Sequence, residues 1–317
     1  MKTIKLFTIV FMTICLSMFQ MSCSSEDVMV ETSKAPFAEL QANVNRINAK
    51  YEKEVSNLYL QDNSRYKASK FWKWFGKWST IIIGDAIGTA SFGTSGLSIN
   101  FKQGIDVSSL IKKEWEKKND PTQPATPAEP ENPNDTISNN PSGGNKIIVN
   151  TDALPELNGN LIEDNAGYIH NAVIINLYEK FGDALNEFSD LELANAINSE
   201  YDEVVRNSNL ISNATIENDI DIEAVNNFIS LVGSCNDVDE FISRMSREYP
   251  ACRNELEVIG SVLKQLAEKD IDEDIIDDYV EEIIYAIKSS AIPNNSKDVL
   301  KSIISVAGAS RQIWDLE

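Results

Sequence analysis

The chain has 317 residues and a formal net charge of −21, from 28 Lys and Arg against 49 Asp and Glu, with a single His. Nucleic-acid binding needs clustered Lys and Arg that displace counterions from phosphate, so this charge excludes that role for the bulk of the chain. Beyond its N-terminal segment the chain is long enough for two domains of ordinary size.

Residues 1–22 read as an export signal. Lys2 and Lys5 form a positive start, and Leu6 to Phe19 form an apolar core interrupted only by small polar residues. That core is shorter than the ~20 apolar residues of a comfortable membrane span. Ser22 then precedes Cys23, which opens the acidic stretch SSEDV. The boundary resembles a bacterial lipoprotein signal, in which the cysteine becomes the lipidated N-terminus, although Gln20 stands where an aliphatic residue is usual. Cys15 fits less well, because bulky Ile14 precedes it inside the apolar core. Glu26 and Asp27 resemble the export tag of surface lipoproteins of the Bacteroidetes. The resemblance implies lipidation at Cys23, an outer-membrane anchor and a body exposed at the cell surface. Several acyl chains on one cysteine hold stably where a single chain binds reversibly.

Residues 23–118 are expected to be a helical and Gly-rich region. From Ala35 to Leu60, Phe37, Leu40, Val44, Ile47, Tyr51 and Val55 recur at helical spacing, with Pro36 suited to a first turn. The run YKASKFWKWFGKW follows. On a helix its lysines share one arc, and Phe71, Trp74, Phe75 and Trp78 share the next. That pattern suits either a helix lying in a membrane interface or one packing its aromatics on a partner while its lysines stay wet. In residues 79–101 small side chains dominate, and Gly84 and Gly88 offer a smooth face for close backbone approach. Asp85 and the Ser and Thr residues make this segment too polar for a transmembrane span, and Phe92 to Phe101 suits a hairpin or a packed loop. Lys70, Phe71, Trp74, Lys77, Trp78, Gly84 and Gly88 are therefore the candidates for contact with a membrane or a partner. The glycines match neither a dinucleotide-binding nor a P-loop pattern.

The helix ELQANVNRINAKY, the Trp/Lys run, the segment GDAIGTASFG and the closing ASRQIW together resemble a set of uncharacterised exported proteins of the Bacteroidetes. The resemblance implies no activity.

Residues 119–145 contain six of the ten prolines, with Pro121, Pro124, Pro127, Pro130 and Pro133 at the three-residue period of a polyproline II helix. This is a semi-rigid linker. Within it, Asp135-Thr136-Ile137 resembles the three-residue O-glycosylation acceptor of Bacteroidetes, which makes Thr136 a candidate modification site.

Residues 146–317 read as an acidic, all-helical domain, a multi-helix bundle. Apolar periodicity predicts helices over Asn165–Phe181, Leu191–Val205, Ile222–Val232, Val238–Met245, Arg253–Leu266, Asp272–Ile287 and Lys297–Trp314. Asp190, Asp221, Asp237, Asp272 and Asn295 or Ser296 are the capping candidates. The charge is lopsided: residues 66–118 have nine lysines against four acids, while residues 119–317 have 38 acids against 12 basic groups. Such asymmetry argues for different jobs in the two halves.

Three chemical candidates arise in the second half. His170 lies within a helix with no nucleophile motif beside it, which favours a satisfied or solvent-facing histidine over a catalytic one. Asp270, Asp272, Asp274, Asp278 and Glu281 fall at calcium-loop positions, but Ile275 occupies the place that needs Gly, and a helical stripe runs through the segment. Glu217, Asp219, Asp221 and Glu223 suit an acidic loop entering a helix. Cys235 and Cys252 flank one short helix and a Pro turn, and in an oxidising compartment they are expected to form a disulfide.

The fold expected is all-α, with no cofactor and no metal. No catalytic constellation is seen, so the function expected is a lipid-anchored surface protein acting as a binding module. Its partners would be the membrane, through the anchor, and a protein or glycan, with no nucleic acid. The alternative is a membrane-active protein that inserts residues 66–101 into a bilayer.

Overall fold

The computed structural model describes residues 26–61, 80–93, 96–119, 147–214, 216, 219–268 and 273–316. These residues form an all-α fold of ten α-helices and few strands. Helix α1 is Glu26–Gln61, and residues 80–88 belong to α2. A hairpin of β1 (Ala90–Gly93) and β2 (Gly96–Ile99) leads into α3 (Phe101–Asn119). After β3 (Ile147–Val149) come α4 (Ala166–Phe181), α5 (Asp190–Asn207), α6 (Ile222–Gly233) and α7 (Val238–Glu248). The chain finishes with α8 (Arg253–Glu268), α9 (Glu273–Ser289), α10 (Asn294–Ile313) and β4 (Trp314–Leu316).

Helix α10 is the axis of the fold. Val299, Leu300, Ile303, Ile304, Val306 and Ala307 are all buried, and α4, α8, α9 and β2 pack around it. A helix surrounded in this way needs small side chains where neighbours come close. A Cβ on Gly308 would lie 2.7 Å from Val280 on α9, and one on Gly167 of α4 would lie 2.8 Å from the Ser305 carbonyl. Antiparallel pairing of β3 with β4 then ties the C-terminal end to the segment that follows residue 146.

Helix α1 docks on α8 and α9 through Leu40, Val44, Ile47 and Tyr51, the stripe its spacing predicts. Burying each such side chain contributes about 1.5–3 kcal/mol. Polar registration accompanies it, since Tyr279 Oη donates to Asn48 Oδ1 at 2.8 Å and Asn48 Nδ2 donates to the Ser261 carbonyl at 2.9 Å. Pro36 lies inside the helix rather than in its first turn; one missing backbone donor does not end it.

Residues 81–90 are interior. Ile81, Ile82, Ile83, Ala86 and Ile87 are buried, and β1 pairs antiparallel with β2 from Ala90↔Ile99 to Gly93↔Gly96. Gly96 has φ +131, a backbone conformation that favours glycine at this turn. Gly84 and Gly88 face α3 of the same chain rather than a membrane or a partner. A Cβ on Gly84 would meet Ile111 at 2.8 Å, and one on Gly88 would meet the Gly104 Cα at 2.9 Å. Among the described residues no helix is long and apolar enough to cross a membrane.

The two regions on either side of residues 119–145 share one hydrophobic core, which runs from Phe37 to Trp314. The lysines of α3 help to join them. Lys102 Nζ is 3.2 Å from Asp202 and lies over the Tyr201 ring, while buried Lys113 donates to the Phe188 carbonyl. The charge asymmetry that suggested separate jobs thus serves, in these two contacts, to hold the regions together.

The second-half helices form as their periodicity predicts, with Asp221 and Asp237 capping α6 and α7. At α5 the cap is Ser189 rather than Asp190, in a capping box with Glu192. Ile276, Tyr279, Ile283 and Ile287 are fully buried along α9, so the stripe expected from the sequence carries Asp274, Asp278 and Glu281 on a helix.

Candidate functional site

The main polar constellation of the interior centres on Asp85. Its carboxylate is fully buried in α2 and gathers groups from two distant parts of the sequence. Oδ2 accepts hydrogen bonds from Ser310 Oγ at 2.5 Å and from Trp314 Nε1 at 3.0 Å, and Oδ1 lies 2.9 Å from His170 Nε2. This last contact is an ion pair whose N–H is not aligned on the oxygen. On its other side, His170 Nδ1 is 2.8 Å from Asn171 Oδ1. Asn171 Nδ2 donates to the carbonyls of Ala153 and Ala309, which fixes its amide with the oxygen toward the imidazole.

Both ring nitrogens of His170 therefore face acceptors, an arrangement that suits the imidazolium. Burial opposes the charge. The Asp85 carboxylate beside it, together with the hydrogen bond to Asn171, outweighs burial and holds the histidine above its ordinary value. Ser, His and Asp meet here in the wrong order for acyl transfer. The serine gives its proton to the aspartate rather than to the histidine, and all three side chains are sealed from solvent. The cluster joins α2, α4, α10 and β4; it offers no group to a substrate. His170 is thus a buried histidine paired with Asp85 rather than a solvent-facing one.

Chemistry open to solvent lies at the C-terminal end of α5. This helix closes in a Schellman arrangement, with Asn209 N–H donating to the Arg206 carbonyl at 3.2 Å and Leu210 N–H to the Val205 carbonyl at 3.1 Å. Asn209 takes φ 52, the left-handed conformation that this turn requires. The chain then swings into a parallel bridge between Leu161 and Ile211. The swing leaves an open depression of about 660 Å³ lined by Asp202, Val205, Arg206, Asn209, Leu210 and Ile211. Arg206 is exposed, and its guanidinium makes no hydrogen bond or ion pair with the described residues. Ile211 is 54% exposed beside it. Nearby Asp202 is committed to Lys102. A planar guanidinium next to apolar surface suits the carboxylate, phosphate or sulfate of a partner.

The expected sites are scattered. Cys23, Lys70, Phe71, Trp74, Lys77, Trp78 and Thr136 lie outside the described residues. Cys235 and Cys252 are free thiols rather than the expected disulfide. Cys235 Sγ turns back onto the preceding helix α6 and donates to the Leu231 carbonyl at 3.2 Å, while Cys252 sits buried in the 3₁₀ turn Pro250–Cys252. Burial raises both thiols above their ordinary value, Cys252 to about 11. Among the described residues no group of three or more His, Cys, Asp and Glu is placed to hold a metal ion. No family model, no curated protein and no solved structure matches the chain.

Sequence reasoning missed both the Asp85 cluster and the Arg206 depression. Asp85 stood out only as a charge within an apolar segment, which is itself a signal that a buried partner exists. Arg206 had no local signal.

Proposed function

We propose that this protein is a lipid-anchored surface protein whose helical body acts as a binding module, holding an anionic group of a protein or glycan at the end of α5. The observation that carries the binding reading is the exposed Arg206 guanidinium, without a hydrogen bond or ion pair among the described residues, beside exposed Ile211 in an open depression. The anchor rests on the sequence around Cys23, where Ser22 precedes the cysteine and the acidic run follows it. Insertion of residues 66–101 into a bilayer gains nothing from the fold, because Ile81, Ile82, Ile83, Ala86, Ile87, Leu97 and Ile99 fill the core and their removal would expose it.

Two measurements on intact cells test the reading. Fatty-acid label should be present in the wild type and lost in Cys23→Ala; label retained by that variant places the anchor elsewhere. A photo-crosslinking residue at position 211 should capture a discrete partner, and Arg206→Ala should abolish the adduct. Equal capture with and without Arg206 defeats the recognition role.

A further inference from the structure

Among the described residues, Asp106 is the other fully buried carboxylate of the first region, and unlike Asp85 it has no hydrogen-bond partner there for either oxygen. It lies on the face of α3 that packs against α5, and one turn further along the Ser109 hydroxyl is likewise buried without a hydrogen bond. The charged groups that act on it are few. Asp190, the first residue of α5, repels it, and Lys113, two turns along α3, attracts it while donating to the Phe188 carbonyl.

The remaining charges on the elements around it are engaged elsewhere or exposed. On α5, Glu192 closes the capping box with Ser189, Glu200 and Glu203 hold Lys180 of α4, Asp202 holds Lys102, and Arg206 is exposed. On α4, His170 is paired with Asp85 and Glu179 is exposed. Helix α6 has a single charged residue, Glu223, which is also exposed. Along α3 itself, Lys112 pairs with Glu116, and Glu114 is exposed.

We propose that the contact between α3 and α5 is a pH-operated catch, closed when Asp106 is neutral and loosened when it ionises. An ionised carboxylate that is dry, unpaired and faced by a second carboxylate is costly, and the site relaxes by letting water reach it. Burial first, and then Asp190, raise the Asp106 acid to about 7, with Lys113 pulling the other way. Once the contact opens, a solvated Asp106 returns toward the ordinary value near 4. The open state therefore releases a proton that the closed state keeps, so opening grows about tenfold per pH unit between roughly 4 and 7 and levels off above. Because α3 joins the β1–β2 hairpin to residues 120–146, the catch governs how firmly the first region is held to the second.

Hydrogen exchange on the whole protein tests this, corrected for intrinsic rates and read in peptides covering residues 101–119 and 190–207. The window from pH 5.0 to 6.5 keeps clear of His170, whose raised value places its titration higher. The open fraction in the wild type should rise roughly 20-fold across that window, while peptides of α8 stay level. Asp106→Asn should abolish the rise. Asp190→Asn, which removes the repelling charge, should keep a rise but move its plateau to lower pH. Constant protection in the wild type overturns the catch, as does an undiminished rise in Asp106→Asn. Should that variant not fold, an Asp190→Asn profile that superimposes on the wild type overturns it equally.

Discussion

His170 Nε2 lies 2.9 Å from Asp85 Oδ1, with neither side chain more than 1% exposed to solvent. One residue stands in the short helix before the hairpin and the other in α4, on opposite sides of residues 119–145. The pair is therefore a tertiary contact between the two regions and not a local one. Removing one member of a buried ion pair leaves the other charge uncompensated, at a cost of about 3–5 kcal/mol. His170→Leu and Asp85→Leu should each destabilise the protein by that order in urea unfolding. The double variant should be less damaged than the sum of the two. Additive losses would show that the pair is not coupled.

The approach of α2 to α3 depends on residues without side chains. A Cβ on Gly104 would stand 2.5 Å from Thr89 Oγ1 and 2.8 Å from the Asp85 carbonyl, and backbone cannot step aside as a flexible side chain does. Gly104→Ala should cost about 1–3 kcal/mol, the range for overpacking a tight interior. Gly233, at the end of α6, has nothing within 4 Å of the same position and lies in helix. Gly233→Ala should be neutral or stabilising by up to about 1 kcal/mol, through the helix preference for Ala over Gly. Urea midpoints of the two variants should move in opposite directions; a stable Gly104→Ala would contradict the close packing.

The helices of the second half were readable because each is an amphipathic stripe with a cap, both local signals. Ile276, Tyr279, Ile283 and Ile287 announced α9 even through an acidic start, and Asp221 and Asp237 announced their helices. Helix α3 was not foreseen, although Phe101, Ile105 and Ile111 keep helical spacing and the Asn100 side chain accepts from Gln103 N–H at 3.2 Å as its cap. Buried lysines and Gly104 masked its apolar face. The shared core was hidden for a different reason. Lys102 reaching Asp202, or Asp85 reaching His170, is set by tertiary approach across a long stretch of sequence, and no periodicity records it. The free thiols have the same origin, since Cys235 and Cys252 are close in sequence but turn to different neighbours.

Those thiols should behave differently toward an alkylating reagent. Cys235 is half-buried beside Arg244, whereas Cys252 is 1% exposed and its thiol is pushed up to about 11 by burial and then by Glu255. Only thiolate reacts quickly, so Cys252 is protected by both exclusion and protonation. Iodoacetamide on the native protein should modify Cys235 slowly and leave Cys252 intact until denaturant is added. Peptide mass mapping reads both sites at once, and a linked Cys235–Cys252 peptide pair would overturn the free-thiol geometry.

The Asp85–His170 pair also gives stability a defined alkaline limit. Burial alone would lower the histidine, but the Asp85 charge and the hydrogen bond to Asn171 raise it above its unfolded value of about 6.5. A group whose folded value is raised binds its proton more tightly in the native state. Its contribution is complete below the unfolded value and is lost as pH rises through the folded one. Asp106 contributes on the acid side of this range, since its raised value makes stability fall from about pH 4 to about 7 and then level off. The two limbs can therefore be separated. Unfolding free energy measured by urea from pH 5 to 8, below the range in which the unfolded thiols of Cys235 and Cys252 ionise appreciably, should keep falling above pH 7 in Asp106→Asn, because His170 still discharges there. It should stay level above pH 7 in His170→Gln, whose amide does not titrate. An alkaline fall that survives in His170→Gln would assign the limb to another group and remove the imidazolium from the core.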